Sequence, residues 1–191
     1  MLIDLIRNAR SIRRYDPERP VGIDDIRSFV EAARLTPSAG NLQRLRYLAV
    51  TDPDEVSALT RGVKWAGYLT DWEGPTEGET PTAYLILLSP EDTGVSQIDV
   101  GIAAETILLA ATEKGFGGCM ILNFPREELT RRYRLAGKYR IELVISLGLP
   151  AEKVEIEKMK NGNVRYYRDE NGVHHVPKRS LDELLLTPEE V

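Results

Sequence analysis

The chain has one cysteine, Cys119, and only two histidines, His174 and His175. A lone cysteine excludes an intramolecular disulfide and fits a reducing compartment. One thiol and two adjacent imidazoles also argue against a zinc or iron–sulfur centre, because neighbours on a strand point to opposite faces. No run of about 18 apolar residues occurs, so no membrane-spanning helix is expected. The apolar start, Met1 to Ile6, is interrupted by Asp4 and is short for a secretion signal; a cytoplasmic protein is expected. Positive charge is in deficit too, with a net charge of −5. Nucleic acid and membrane surfaces need a large positive field, so neither is an expected partner.

Familiar catalytic signatures are also missing. There is no P-loop and no nucleophile elbow. Gly115-Phe116-Gly117-Gly118 resembles a dinucleotide-binding loop, but Met120 stands where the third glycine belongs. A predicted helix precedes that stretch and a strand follows it, the reverse of the required order. Cys119 sits in an apolar run with no basic neighbour in sequence, and reads as a structural thiol. A chain without a reactive group of its own points to a bound cofactor that brings the chemistry.

What is present is a domain-sized chain of 191 residues with enough apolar content, 42%, for one real core. A single domain over residues 1–191 is expected. The pattern predicts a short helix from Leu2 to about Asn8 and an amphipathic one over 23–35, ended by Pro37. A strand follows at 47–51, a helix from Pro53, an aromatic loop at 64–80 and a strand at 83–88. Residues 97–114 form the clearest helix. It is apolar nearly all round, which predicts a central buried position, with Gly115 placed to cap it. Strands at 118–122 and 141–147 flank a charged helix at 125–134. Asn171-Gly172 marks a hairpin between 164–168 and 173–176. Ser180-Leu181-Asp182-Glu183 matches a capping box and predicts a last short helix. The fold class is α+β.

Two segments stand out. Residues 8–16 read Asn-Ala-Arg-Ser-Ile-Arg-Arg-Tyr-Asp, and 36–43 read Thr-Pro-Ser-Ala-Gly-Asn-Leu-Gln. The first 19 residues carry five arginines against three acids, opposing the global sign. On charge alone this reads equally as a solvated face. Taken with the small polar turn at 36–43, it suits a ligand with an anionic tail and a flat hydrogen-bonding head, as flavin mononucleotide (FMN) has. Ser38 and Asn41 also suit an ordinary turn. Lys178 and Arg179 also read as plain surface charge, and Trp65, Tyr68 and Trp72 as packing.

Arg10-Ser11-x-Arg13 followed by Pro37-Ser38-Ala39-x-Asn41-x-Gln43 resembles the nitroreductase superfamily of FMN-dependent oxidoreductases. The helix from Asp99 to Glu105 leading to Gly115–Cys119, the stretch Leu147-Gly148-Leu149-Pro150 and the basic Val176-Pro177-Lys178-Arg179 fit it in the same order. The resemblance implies a central mixed or antiparallel sheet flanked by helices, in an interlocked homodimer with FMN at the subunit interface. It implies a hydride passed from a reduced nicotinamide, or another donor, through flavin N5 to a small acceptor such as a nitro compound or quinone. No side chain need act as nucleophile.

By the same resemblance, Arg10 and Ser11 contact the ribityl phosphate, and Lys178 and Arg179 clamp it. Arg13 sits near the pyrimidine edge, where a cation stabilises charge developing on reduction. Pro37, Ser38 and Asn41 line the ring or the substrate space, and the backbone of Leu122 and Asn123 lies over the N5 side. Gln43, Trp65, Tyr68 and Trp72 line the substrate space. Three departures matter. Ala9 replaces a basic residue that the family often has, Arg44-Leu45 stands where Pro-Trp often follows the glutamine, and the chain is short, so the 64–80 loop stands in for a longer lid. The missing Pro-Trp wall leaves open a flavin-binding sensor or storage protein without efficient turnover.

Overall fold

The computed structural model describes residues 1–188. Its elements run α1 (Leu2–Asn8), β1 (Tyr15–Asp16), α2 (Ile23–Arg34), β2 (Arg46–Val50), α3 (Pro53–Gly62), β3 (Ala83–Pro90), α4 (Gln97–Glu113), β4 (Gly117–Ile121), α5 (Arg126–Arg132), β5 (Tyr139–Pro150), β6 (Val154–Lys158), β7 (Tyr167–Arg168) and β8 (His174–Lys178). Among the described residues no helix is long and apolar enough to cross a membrane.

The helix ends follow from their capping residues. Asp52 accepts the backbone N–H groups of Asp54 and Glu55, with Pro53 in the first turn of α3. Ser96 accepts the N–H of Ile98 at the start of α4. Beyond the α4 C-terminus, Gly115 takes φ +81°, as its predicted capping role requires.

Strand β5 organises the larger sheet. It pairs antiparallel with β3 along 139–147, with β4 along 144–148 and with β1 at 149–150, and β2 extends the sheet beyond β3. Both faces of this sheet are covered, so β3 reads as an unbroken apolar run rather than an alternating one. Ala83, Leu85 and Leu87 pack with Phe29 of α2 and Ala104 and Ile107 of α4. Tyr84, Ile86 and Leu88 pack with Val56 and Leu59 of α3, Trp65 and Leu129. Each fully buried leucine or isoleucine here contributes roughly 1.5–3 kcal/mol. Helix α4 lies against α2, β4 and β5. Its first turns leave Ile98, Gly101 and Glu105 exposed in the single chain.

Residues 11–16 lie directly on the sheet. The Ile12 N–H donates to the Gly118 carbonyl at 2.9 Å. The wholly buried Tyr15 hydroxyl is hydrogen-bonded to the Ile12 carbonyl and to Ser146 Oγ. Two glycines permit this approach. A Cβ on Gly118 would stand 2.3 Å from the Ser146 carbonyl oxygen, and one on Gly148 would stand 2.6 Å from the Tyr15 ring.

The second sheet is small, in the order β6-β8-β7, with β6 parallel to β8 and β7 antiparallel to it. Three expectations need correcting. Strand β6 was not among the predicted elements. The strand predicted over 164–168 shrinks to Tyr167–Arg168, while the turn after it is held by Asp169, whose carboxylate accepts the N–H groups of Asn171 and Val173. Ser180 and Glu183 do bond reciprocally, yet residues 181–184 form a turn and not a helix. One capped turn whose leucines, Leu181 and Leu184 to Leu186, find nothing to pack on in the single chain does not propagate.

Candidate functional site

A cleft of about 560 Å³ opens where β4 leaves the sheet. Its walls are Leu122 and Asn123, Lys64 to Gly67 after α3, Gln97, Val100 and Gly101 at the start of α4, Arg13 and Tyr166. A second, smaller pocket of about 280 Å³ lies between α2, the 36–47 segment and α4. It holds Pro37, Ser38 and Gln43, with Asp99 and Ala103 as part of its lining. The first turns of α4 thus separate the two cavities.

Arg13 dominates the larger cleft. It is 9% exposed, yet among the described residues its guanidinium has no ion-pair partner. Nη1 donates to the Ser11 carbonyl and to His174 Nε2, both at 3.4 Å, and the Tyr166 ring lies 5.2 Å from Cζ. Arginine has only donors, so His174 Nε2 must be the acceptor and the ring proton sits on Nδ1. Burial, then the nearby Arg13 charge, push the His174 pKa down to about 4 and keep the ring neutral. Its Nδ1 is buried and has no hydrogen-bond partner among the described residues.

Glu152 holds the backbone around this cation. Its Oε1 accepts the N–H groups of Arg13 and Arg14, and its Oε2 accepts from Arg168 Nη2 at 2.9 Å. Arg14 and Arg168 in turn flank the Trp72 ring, with Cζ at 5.9 and 4.8 Å. Cys119 lies beside Arg13. Burial raises its thiol pKa more than Arg13 lowers it, so the protonated, inert form prevails.

The other wall is braced from within. A bulge between Leu87 and Leu88 sets Glu142 out of step with β3. Ser89, Gln97 and Arg140 all donate to this buried carboxylate. Burial alone would raise its pKa, but those hydrogen bonds outweigh it and hold the carboxyl below its usual range. Gln97 is thereby fixed at the cleft.

The 38–43 turn is equally specified. Ala39 N–H donates to Asp99 at 2.9 Å, and Gln43 N–H donates to Ser38 Oγ at 3.2 Å. Asn41 and Gln43 adopt φ of +54° and +48°, and the Gln43 amide donates to Asn41 Oδ1. Left-handed backbone at two non-glycine residues is strained and marks a turn held by its surroundings.

The single chain therefore divides the sequence-predicted residues into groups. Arg13, Trp65, Leu122 and Asn123 share the larger cleft. Pro37, Ser38 and Gln43 share the smaller pocket, with Asn41 in the same turn. Arg10 donates to the Ile6 carbonyl at the end of α1, and exposed Ser11 bridges to Gly118. Lys178 ends β8, and Arg179 pairs with Glu183 at 3.6 Å. Tyr68 lies outside both cavities, tilted on Tyr166 at 4.8 Å. Trp72 contacts Trp65 edge-on at 6.5 Å and lines a separate open groove beneath the 64–80 loop. Trp65 is both core and cleft wall.

Sequence reasoning missed Tyr166, His174, Glu152, Gln97 and Glu142. Only His174 had carried a signal, as a histidine in a chain nearly devoid of them.

The chain matches the Nitroreductase family over residues 6–149. It is 28% identical over 162 residues to an Archaeoglobus fulgidus protein bearing the provisional name NADH dehydrogenase/NAD(P)H nitroreductase, covering 79% of this chain and 86% of that one. It is 27% identical to an iodotyrosine deiodinase of Thermotoga neapolitana over 168 residues, covering 78% and 89%. Its fold resembles the crystal structure of an oxidised iodotyrosine deiodinase bound to FMN and 3-iodo-L-tyrosine, with a TM-score of 0.67, 22% identity and coverage of 88% and 100%. With cleft, turn and N-terminal segment all inside the matched stretch except for the supports from Glu152, Tyr166 and His174, the chain belongs to the nitroreductase family of oxidoreductases.

Proposed function

We propose that this chain is an FMN-dependent oxidoreductase that passes a hydride from a reduced nicotinamide, or another donor, to a small organic acceptor such as a quinone or nitro compound. The observation that carries the reading is Arg13, a buried cation with no carboxylate on its guanidinium among the described residues, at the wall of an otherwise largely apolar cleft. A buried charge of that kind is costly unless a ligand completes it. FMN, when bound, supplies hydride chemistry at its N5 atom. The residues present fit it: Arg13 offers charge to the pyrimidine edge, Leu122 and Asn123 form the wall over the ring, and Trp65 and Tyr166 exclude water.

The remaining binding residues are supplied by a second copy of the chain in this proposal. Pro37, Ser38 and Gln43 face a different cavity from Arg13, with Asn41 in the same turn, and Lys178 and Arg179 face neither. Apolar side chains exposed beside these groups, Leu42, Ile98 at 73% and Leu122 at 75%, favour a homodimer that covers them. Arg10, Ser11, Lys178 and Arg179 then gather on the phosphate.

The test begins with an absorption spectrum and FMN titration of the purified protein. Flavin bands and one FMN per chain are expected; a colourless protein that takes up no added FMN would end the proposal. Reduced-nicotinamide oxidation with a quinone acceptor separates turnover from a sensor. Arg13→Ala should move the flavin midpoint potential to more negative values, and an unchanged potential would remove Arg13 from this role.

A further inference from the structure

We infer that His174 is a positioning residue that aims the Arg13 guanidinium at the cleft while leaving its charge unneutralised. The inference rests on the FMN reading above, and His174 lies outside the family-matched stretch, which ends at residue 149.

Arg13 is held on two sides by neutral groups. His174 Nε2 and the Ser11 carbonyl accept from Nη1, and the Tyr166 face covers the cation. Tyr166 and His174 are themselves in ring contact, with centroids 5.2 Å apart. The buried carboxylate of Glu152 bonds the Arg13 and Arg14 backbone and the Arg168 side chain rather than the Arg13 guanidinium. Its ion pair is with Arg168 and not with the Arg13 guanidinium. A carboxylate in place of His174 would orient Arg13 equally well but cancel the field it offers a ligand. A neutral imidazole that accepts at Nε2 orients without cancelling. His174 is 1% exposed, so it has no role at the surface. It sits on β8, paired to β6 and β7, so the small sheet acts as the frame that delivers this acceptor.

The test uses the full chain reconstituted with FMN and compares His174→Leu, His174→Gln and Arg13→Ala. The readouts are the midpoint potential and the FMN dissociation constant, with circular dichroism to confirm folding. His174→Leu should weaken the preference for reduced over oxidised FMN by about three- to tenfold, the worth of one ordinary hydrogen bond. That shifts the midpoint towards the Arg13→Ala value. His174→Gln, whose amide oxygen accepts, should restore it. A folded His174→Leu protein with the wild-type midpoint overturns the inference, and so does a His174→Gln protein that shifts as far as the leucine variant. If wild type binds FMN and Arg13→Ala shifts the midpoint, those failures strike His174 alone. Absence of FMN binding by wild type would remove the cofactor reading and this inference together.

Discussion

The two sheets of this molecule are built on opposite principles. In the larger one, β3 and β5 bury nearly every side chain, and the contacts are aliphatic. In the smaller one, only His174 is buried on its strands, and the sheet is tied to the rest by Glu152, Arg168, Tyr166 and Arg13. Aliphatic burial is strong and non-directional, and fixes the fold without fixing any one charge. Hydrogen bonds and ring contacts contribute less but are directional, and they set where Arg13 lies. The cleft stands where the two meet, so its rigidity comes from one sheet and its electrostatics from the other.

This contrast can be broken by mutation. The largest effect is expected from Leu85→Ala in the middle of β3, where Leu85 is fully buried. Such truncations cost about 2–5 kcal/mol, and chemical denaturation should show one cooperative loss of the whole fold. Glu152→Gln should cost less, roughly 1.5–3 kcal/mol for hydrogen bonds to charged groups. Its signature is different: hydrogen exchange should rise in 152–178 and 11–16 well before the large sheet opens. Uniform exchange across both sheets would contradict the division drawn here.

The smallest effect is a slope with pH. His174 has a folded pKa of about 4 against an ordinary 6.5. The unfolded chain binds the proton first, so stability should fall as pH drops from 6.5 towards 4 and gain nothing from this group above that window. Glu142 contributes in the same direction at the lower end, since its lowered pKa makes stability fall as pH drops below the ordinary carboxylate range. Melting temperatures across that window should show a flatter slope in His174→Gln than in wild type. Equal slopes would place the titration elsewhere.

The larger sheet was legible because its signals are local. Apolar runs, Asp52-Pro53, Ser96 and Gly115 each announce an element within a few residues. The small sheet was not. Strand β6 carries three charges in Val154–Lys158 and pairs in parallel with β8, so its evidence lies in another part of the chain. The Arg13–His174 contact joins residues 161 apart, and no local pattern encodes such a partnership. Reading His174 and His175 as pointing to opposite faces was sound. One meets Arg13, while the other stacks on Tyr167 with Asp169 beside it. The segments at 8–16 and 36–43 were legible as unusual chemistry, but their placement in different cavities of one chain was not, because that depends on which side of α4 each loop takes.

The glycine seat beneath residues 11–16 has a consequence for biogenesis. Tyr15 and Ser146 are 131 residues apart, so the stretch bearing Arg13 is made well before the strands β4 and β5 on which it docks. Contacts of such separation are late and slow to form. The nascent chain must therefore carry this basic segment unanchored until those two strands follow it, and the position of Arg13 is set only once they have folded.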